Sequence, residues 1–553
     1  MVFIRSTHDL IDTADSALPE RQMPKPRSEY CYLFPDLADD PKVGCFAGTD
    51  EAGTIKRLKA FEEATHLPVN PPAALLMQLP AAYTYFGQFL NHDLSAPVGS
   101  VLQDPTHILP AGVIGAADPP GLDLSRRADR ATILARIVNE QASPLMLGSL
   151  YGDWPDTHDP AVAALFDADG LRFRLARTEA AAPQVFSDID IDPAAVIHDS
   201  NSPDLPRRDG AALIADRRND GNLILSQMHL AFLRVHNRAV VALTPTIRDR
   251  TACFRAARHL VTLHYHWLIL NDFLPRLLSR AVLARPLDEW QPRLDTPRTV
   301  PMEFTTAAFR FGHSMVGRAY DFNANFGAGG RIAPAASLTD LFRFTSAQNM
   351  GQAGQPTRQV PDHWVIDWDR MTAGRSTGGR AAHGGAERID LHFAPDMLNV
   401  AGDATLPDHG SILFRNLLRG FHRRIPFGQQ LAQACGHKPL DPGLIRRALP
   451  ADPSPSGDFA SQRAAAEGLG MIEETPAWLY FLCESKSLER GERIGPTAST
   501  IIADTIVGLM QTEPSALLQH DGGHWHPRDS LLRDKNGRAL ETLRGFLMFS
   551  AER

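Results

Sequence analysis

Apolar residues return every three or four positions along most of this chain, while the strict alternation of a strand is scarce, and that pattern commits it to helices packed around a shared core. The periodicity predicts a helix beginning near Tyr83 and others over 131–140, 223–243, 253–278, 302–316, 411–418 and 498–510. No repeat of fixed period is present, which argues against a helical solenoid. The expected class is mainly α, with long irregular loops and little β.

Residues 1–70 mix Pro, Asp and Gly with short apolar clusters and read as an arm wrapped on a larger body. The body is expected over 71–512, and 513–553 reads as a tail packed back on it. Two Gly-rich stretches, Phe326-Gly-Ala-Gly-Gly330 and 374–385, follow no strand and carry no Lys-Ser/Thr, so they read as flexible connections and not as nucleotide loops. His524-Trp-His526 has the spacing of a metal pair, but no carboxylate or cysteine stands at ligand distance in sequence.

Composition excludes several classes. With a net charge of -8 and both signs spread throughout, there is no basic field for nucleic acid. No apolar run approaches the roughly 20 residues of a membrane span. Five scattered cysteines with no CxxC pair, together with an N-terminus that lacks an export signal, predict reduced thiols and a cytoplasmic protein.

Chemistry concentrates in a few segments. In Tyr83-Thr-Tyr-Phe-Gly-Gln-Phe-Leu-Asn-His-Asp93, Gln88 and His92 are four apart and share one helix face beside the stripe Phe86, Phe89, Leu90 and Leu94. Such a pair suggests the polar floor of a pocket, although a lone buried histidine is more often structural. A polar loop carrying Arg218 leads into the long segment ending Arg-Val-His-Asn-Arg238. His313 sits in Ala307-Ala-Phe-Arg-Phe-Gly-His313, with Arg310 three residues earlier, and Phe414-Arg-Asn-Leu-Leu-Arg-Gly420 follows much later.

Taken in order, and with Thr475-Pro-Ala-Trp478 and Arg493-Ile-Gly-Pro496 near the end, these segments resemble the animal-type haem peroxidases of the peroxidase–cyclooxygenase superfamily, most of all their bacterial branch. The resemblance spans roughly residues 75–512. It implies a helical haem peroxidase fold with His92 as the distal histidine, Gln88 as the distal glutamine and Arg218 as the distal arginine. His313 would ligate the haem iron, Asn416 would accept the other N–H of its ring, and Arg310 and Arg419 would hold the propionates. Residue chemistry agrees: an imidazole is a suitable axial ligand, an amide can orient it, and guanidinium forks match carboxylates. The expected partners are hydrogen peroxide and a small organic, halide or thiocyanate electron donor.

Three departures qualify the resemblance. Where vertebrate members bond the haem through an Asp and a Glu, this chain has Asn91 and Gly221, so the expected cofactor is a non-covalent haem b. Of the family's calcium set Asp93 remains, but the partner loop supplies Ala142, Met146 and Gly148. Because calcium takes six to eight oxygens, this argues against a bound calcium and leaves Asp93 to bond nearby backbone. Arg310 stands where fatty-acid oxygenases carry a radical tyrosine, which disfavours dioxygenation. Three alternatives stay open: a fatty-acid dioxygenase using another tyrosine, Tyr265 or Tyr320 being nearest in sequence, a non-catalytic haem protein, and a helical interaction protein without cofactor.

Overall fold

A computed structural model describes residues 28–64, 77–98, 127–156, 159–180, 193–208, 211–286, 290–294, 296–345, 358–373, 384–394, 396–397, 412–451 and 461–552. In chain order, strand β1 (Glu29–Cys31) and helix α1 (Glu51–Ala64) precede α2 (Ala82–Leu94), α3 (Leu223–Leu243) and α4 (Arg250–Leu268). Strand β2 (Thr299–Pro301) leads directly into α5 (Met302–Thr306). Helices α6 (Ile412–His422), α7 (Ala477–Glu489), α8 (Pro496–Thr512) and α9 (Leu543–Ala551) complete the frame. Strands among the described residues form two-stranded pairs only.

The centre is α3, whose 21 residues are mostly buried. Asn222 caps it, its side-chain oxygen accepting the Leu225 N–H, which satisfies one of the helix's orphan donors. Helix α2 packs along α3 with Phe89 stacked on Phe232 at 4.6 Å between ring centroids. On another side α9 packs on α3 through Phe546, so residues of the C-terminal stretch lie against the core. In that stretch Trp525 is buried against His264, and His526 Nδ1 accepts the Arg528 N–H.

Two expected helices are interrupted. The segment expected over 253–278 runs as α4, then a wider turn at Ile269–Phe273, then a short helix at Leu274–Leu277. Pro275 supplies no N–H and crowds the preceding turn, and the widened turn accommodates it. The segment expected over 302–316 breaks at Ala307 and continues as a 3₁₀ stretch, Ala308–His313. There the Arg310 Nε–H takes the Thr305 carbonyl, and the Trp478 indole donates to the Arg310 carbonyl at 3.1 Å. Contacts with α2, α7 and α8 hold this stretch in place.

The segment expected over 131–140 is helical only across Arg130–Arg136, after which Val138–Asn139 pairs with Pro97–Val98. Of the two Gly-rich stretches, the first is tied down: Ala328 N–H donates to Asp321, which also pairs with Arg370 at 2.8 Å. A side chain at Gly327 would lie 2.1 Å from Asp321, so glycine is required for close approach and not for flexibility. The second lies outside the described residues except for 384–385.

Candidate active site

One cavity, open at its mouth, is lined by Gln88, Asn91 and His92 from α2, by Arg310 and His313 from the 3₁₀ stretch, and by Arg415 and Arg419 from α6. Four expected site residues besides His313 therefore meet in it: Gln88, His92, Arg310 and Arg419. Asn416 stands behind His313 and Arg218 stands behind His92, neither lining the cavity.

On the α2 side, His92 is 1% exposed, and its Nδ1 lies 2.8 Å from Asn219 Oδ1. Burial first, then the Arg218 charge, pushes the ring's pKa down to about 3, so it is neutral near pH 7. An amide oxygen only accepts, so Nδ1 carries the proton and Nε2 is the basic atom. Asn219 in turn donates from Nδ2 to His229 Nδ1 at 3.0 Å, on α3. Burial likewise holds His229 down at about 4, and the row His92–Asn219–His229 is made of neutral groups.

Arg218, expected as the distal arginine, does not line the cavity. Its guanidinium is bonded to Asp216 through Nε and Nη2 at 3.0 and 2.6 Å, to the His92 carbonyl at 2.8 Å and to the Ser95 carbonyl at 2.8 Å. The physical reason is the end of α2, whose last carbonyls lack helical partners. Arg218 takes those of His92 and Ser95, Gln141 also takes that of His92, and Asn139 takes that of Leu94. Asp216 caps the 3₁₀ turn Arg217–Asp220 and holds the arginine in this position.

Gln88 Oε1 accepts from the Nδ2 of Asn222 at 3.1 Å, linking α2 to the capped end of α3. Asp93, next in chain to His92, makes bonds of the kind expected for it: its oxygens accept the N–H groups of Leu147 and Ser149 and the Ser149 hydroxyl, all at 3.0–3.1 Å. Burial, offset by those donors, raises its pKa to about 6.

On the opposite wall, the Asn416 amide meets His313 Nδ1 at 3.1 Å through Nδ2, while its Oδ1 is buried without a hydrogen-bond partner. Rotating the amide by half a turn puts Oδ1 on Nδ1, which then donates and leaves Nε2 as the basic atom. Burial, then Arg310 and Arg419, holds the His313 pKa well below the ordinary range, which keeps the ring neutral as a metal ligand must be. Arg310 is itself pushed down to about 9 by burial and by Arg423. Among the described residues, three arginines and one carboxylate, Asp396, are the charged groups in the lining.

This donor set fits a haem. A neutral imidazole with a waiting second acceptor, an excess of guanidinium over carboxylate, and walls of Phe273, Phe309, Phe311 and Phe342 suit an iron, two propionates and a flat apolar ring. Of the tyrosines considered from sequence, Tyr265 packs among Phe86, Phe89 and Phe232 away from the lining. Tyr320 accepts from Tyr85, a lining residue, at 2.9 Å.

Residues 191–359 match the model of the animal haem peroxidase family. That family binds haem. A peroxidase-like protein of Margaritifera margaritifera is 32% identical over 152 residues, 26% of this chain and 18% of that protein. Human thyroid peroxidase is 32% identical over 95 residues, 17% of this chain and 10% of its own length. This chain thus aligns with less than a fifth of these relatives. In fold it is similar to peroxidase A of Dictyostelium discoideum, with a TM-score of 0.55, 17% identity and coverage of 94% of this chain and 93% of that one. It is also similar to the fatty acid alpha-dioxygenase of Oryza sativa, with a TM-score of 0.51, 13% identity and coverage of 93% and 82%.

Sequence reasoning missed Asn219. Its one signal was its place beside Arg218 in a polar loop, which says nothing of a partner 127 residues earlier.

Proposed function

We propose that this protein is a peroxidase that uses a non-covalent haem b to oxidise small organic donors or halides with hydrogen peroxide. The observation that carries the proposal is a single cavity lined by His92, with its basic nitrogen set by Asn219, and by His313, with Asn416 behind it. When bound, the haem iron supplies the two-electron reduction of peroxide and recovers those electrons from the donor.

His92 Nε2 takes a proton from one peroxide oxygen and returns it to the departing one, acting first as base and then as acid. Asn219 keeps the proton on Nδ1 and so keeps Nε2 available. Arg218 acts from behind, fixing the His92 carbonyl and disfavouring a charged ring, in place of direct contact with peroxide. His313 is the iron ligand, Asn416 with its amide turned orients it, and Arg310 and Arg419 hold the propionates. Asn91 lines the cavity where an ester-forming acid would be needed, and Gly221 offers no side chain, which supports a detachable cofactor. Gln88 is the contact for a halide or an ordered water.

The test is protein produced with haem supplied. It should show a Soret band, release all its haem in a pyridine haemochrome assay, and oxidise guaiacol or bromide only with peroxide. A haem spectrum without turnover would sink the catalytic part. The Tyr85–Tyr320 pair favours a second reading, an oxygenase using a tyrosyl radical, and oxygen uptake with a fatty acid and no peroxide would support it instead.

A further inference from the structure

Away from the cavity, the segment 193–204 meets the segment 358–366, and three potential ligands converge there. His198, Asp362 and His363 each offer one ligand atom, and the three atoms lie within 4.8 Å of one another. His198 Nδ1 is 2.7 Å from Asp362 Oδ1, and His363 Nδ1 is 3.6 Å from the same oxygen. None of the three lines the haem cavity.

Asp362 poses a charge problem. Its side chain is 1% exposed, and a buried carboxylate needs compensation. Among the described residues no arginine or lysine pairs with it; its partners are the two imidazoles and, at 3.0 Å on Oδ2, the Ser200 hydroxyl. An imidazole brings at most one charge, whereas a divalent cation brings two.

We infer that His198, Asp362 and His363 form a binding site for a divalent transition-metal cation of the zinc class, separate from the haem. Two imidazole nitrogens and one carboxylate oxygen are a donor set that zinc accepts, with the remaining position left to water. Ligand atoms at about 2.0–2.1 Å from a tetrahedral ion stand roughly 3.3 Å apart. The His363–Asp362 separation is close to that, and the His198–Asp362 separation needs to open by only about 0.6 Å. The His198 side chain is 38% exposed, so an ion has a route in, while the other two ligands are buried.

The backbone under the ligands is already fixed. Asp199 N–H donates to the Asp362 carbonyl at 3.1 Å, and Asp362 N–H donates to the Glu179 carbonyl at 3.0 Å. The Asn325 amide bridges the carbonyls of Ile197 and His363 at 2.8 and 3.1 Å. The ion would therefore staple the His198–Ser200 stretch to the turn Pro361–Trp364. That turn in turn receives Gln227 of α3 on its Trp364 carbonyl, so the staple braces the helix that begins beside Asn219 and Arg218. Its role is structural, with no step of peroxide chemistry assigned to it.

The experiment titrates the full-length, haem-loaded protein with Zn²⁺ by calorimetry after treatment with a chelator, and follows melting temperature in parallel. The expected result is one tightly bound equivalent and a melting temperature that rises with free Zn²⁺. His198→Ala, at the exposed ligand, should lose that equivalent and the thermal shift while keeping its haem absorbance, and Asp362→Asn should do the same. Wild-type protein that binds no more Zn²⁺ than His198→Ala overturns the site. Because zinc binding is read without turnover, its failure and a failure of the peroxidase proposal are separate results.

Discussion

The two walls of the cavity are finished to different degrees. Around His92 the groups that touch it are bonded: Asn219 at both ends of its amide, Arg218 through Nε and both terminal nitrogens, and the last carbonyls of α2 by side chains, with His229 Nε2, behind Asn219, left unpartnered. Around His313 the Asn416 amide is bonded at one end only, and Arg310 is a destabilised cation. A group that moves a proton needs a fixed tautomer and orientation before the reaction starts. A group that receives a cofactor must keep valence in reserve, and the folded chain tolerates that cost until the cofactor arrives.

The largest effect that would test this contrast is at His313. His313→Ala should abolish haem loading, read as absorbance per mole of purified protein; full loading would place the ligand elsewhere. His92→Ala should load haem normally yet react with peroxide roughly 10²–10⁴ times more slowly in stopped flow, the usual worth of a general acid–base group. Unchanged kinetics would remove His92 from the chemistry.

Asn219→Ala and Asn416→Ala form the sharpest pair, each expected to cost roughly 10–100-fold, as the loss of an orienting partner commonly does. The former should slow the peroxide reaction and leave haem affinity alone, and the latter should weaken haem affinity. If both variants moved the same quantity, the division between the walls would fail. The pH profile adds a further check. His92 is a base held down at about 3, so its proton-accepting form is fully present from about pH 8 down to about pH 5, and the peroxide rate should be flat there. A fall with a midpoint near the ordinary histidine value would mean that water reaches the ring. Smallest is Gln88→Ala, where loss of one neutral hydrogen bond worth about 0.5–1.5 kcal/mol should raise the bromide KM by roughly two- to tenfold with kcat held.

How much of this was legible in the chain varied with the distance over which each feature is determined. Helix α3 occupies the span its periodicity predicts because both the pattern and the Asn222 cap are local. The break at Ala307 depends on Trp478, far away in sequence, and no window of neighbouring residues contains it. The cavity's histidines and arginines stood out by residue type within family-like segments. Their orientation did not: Asp216, two residues before Arg218, was the local hint that the guanidinium would turn back, and only the end of α2 makes that turn worthwhile.

The strand pairing of Glu29–Cys31 with Thr299–Pro301 bears on the order of assembly. Leu33 and Phe34 N–H groups bond Glu303, and the Tyr32 hydroxyl bonds the Arg423 carbonyl, so the early chain grips the segments that carry His313 and Asn416. These are contacts of very large sequence separation, whose loop-closure entropy makes them slow to form. The wall that carries His313 should thus be completed late, once α6 has been made. A nascent chain lacking its last third would carry α2, α3 and His313 but neither Asn416 nor Arg419 of α6.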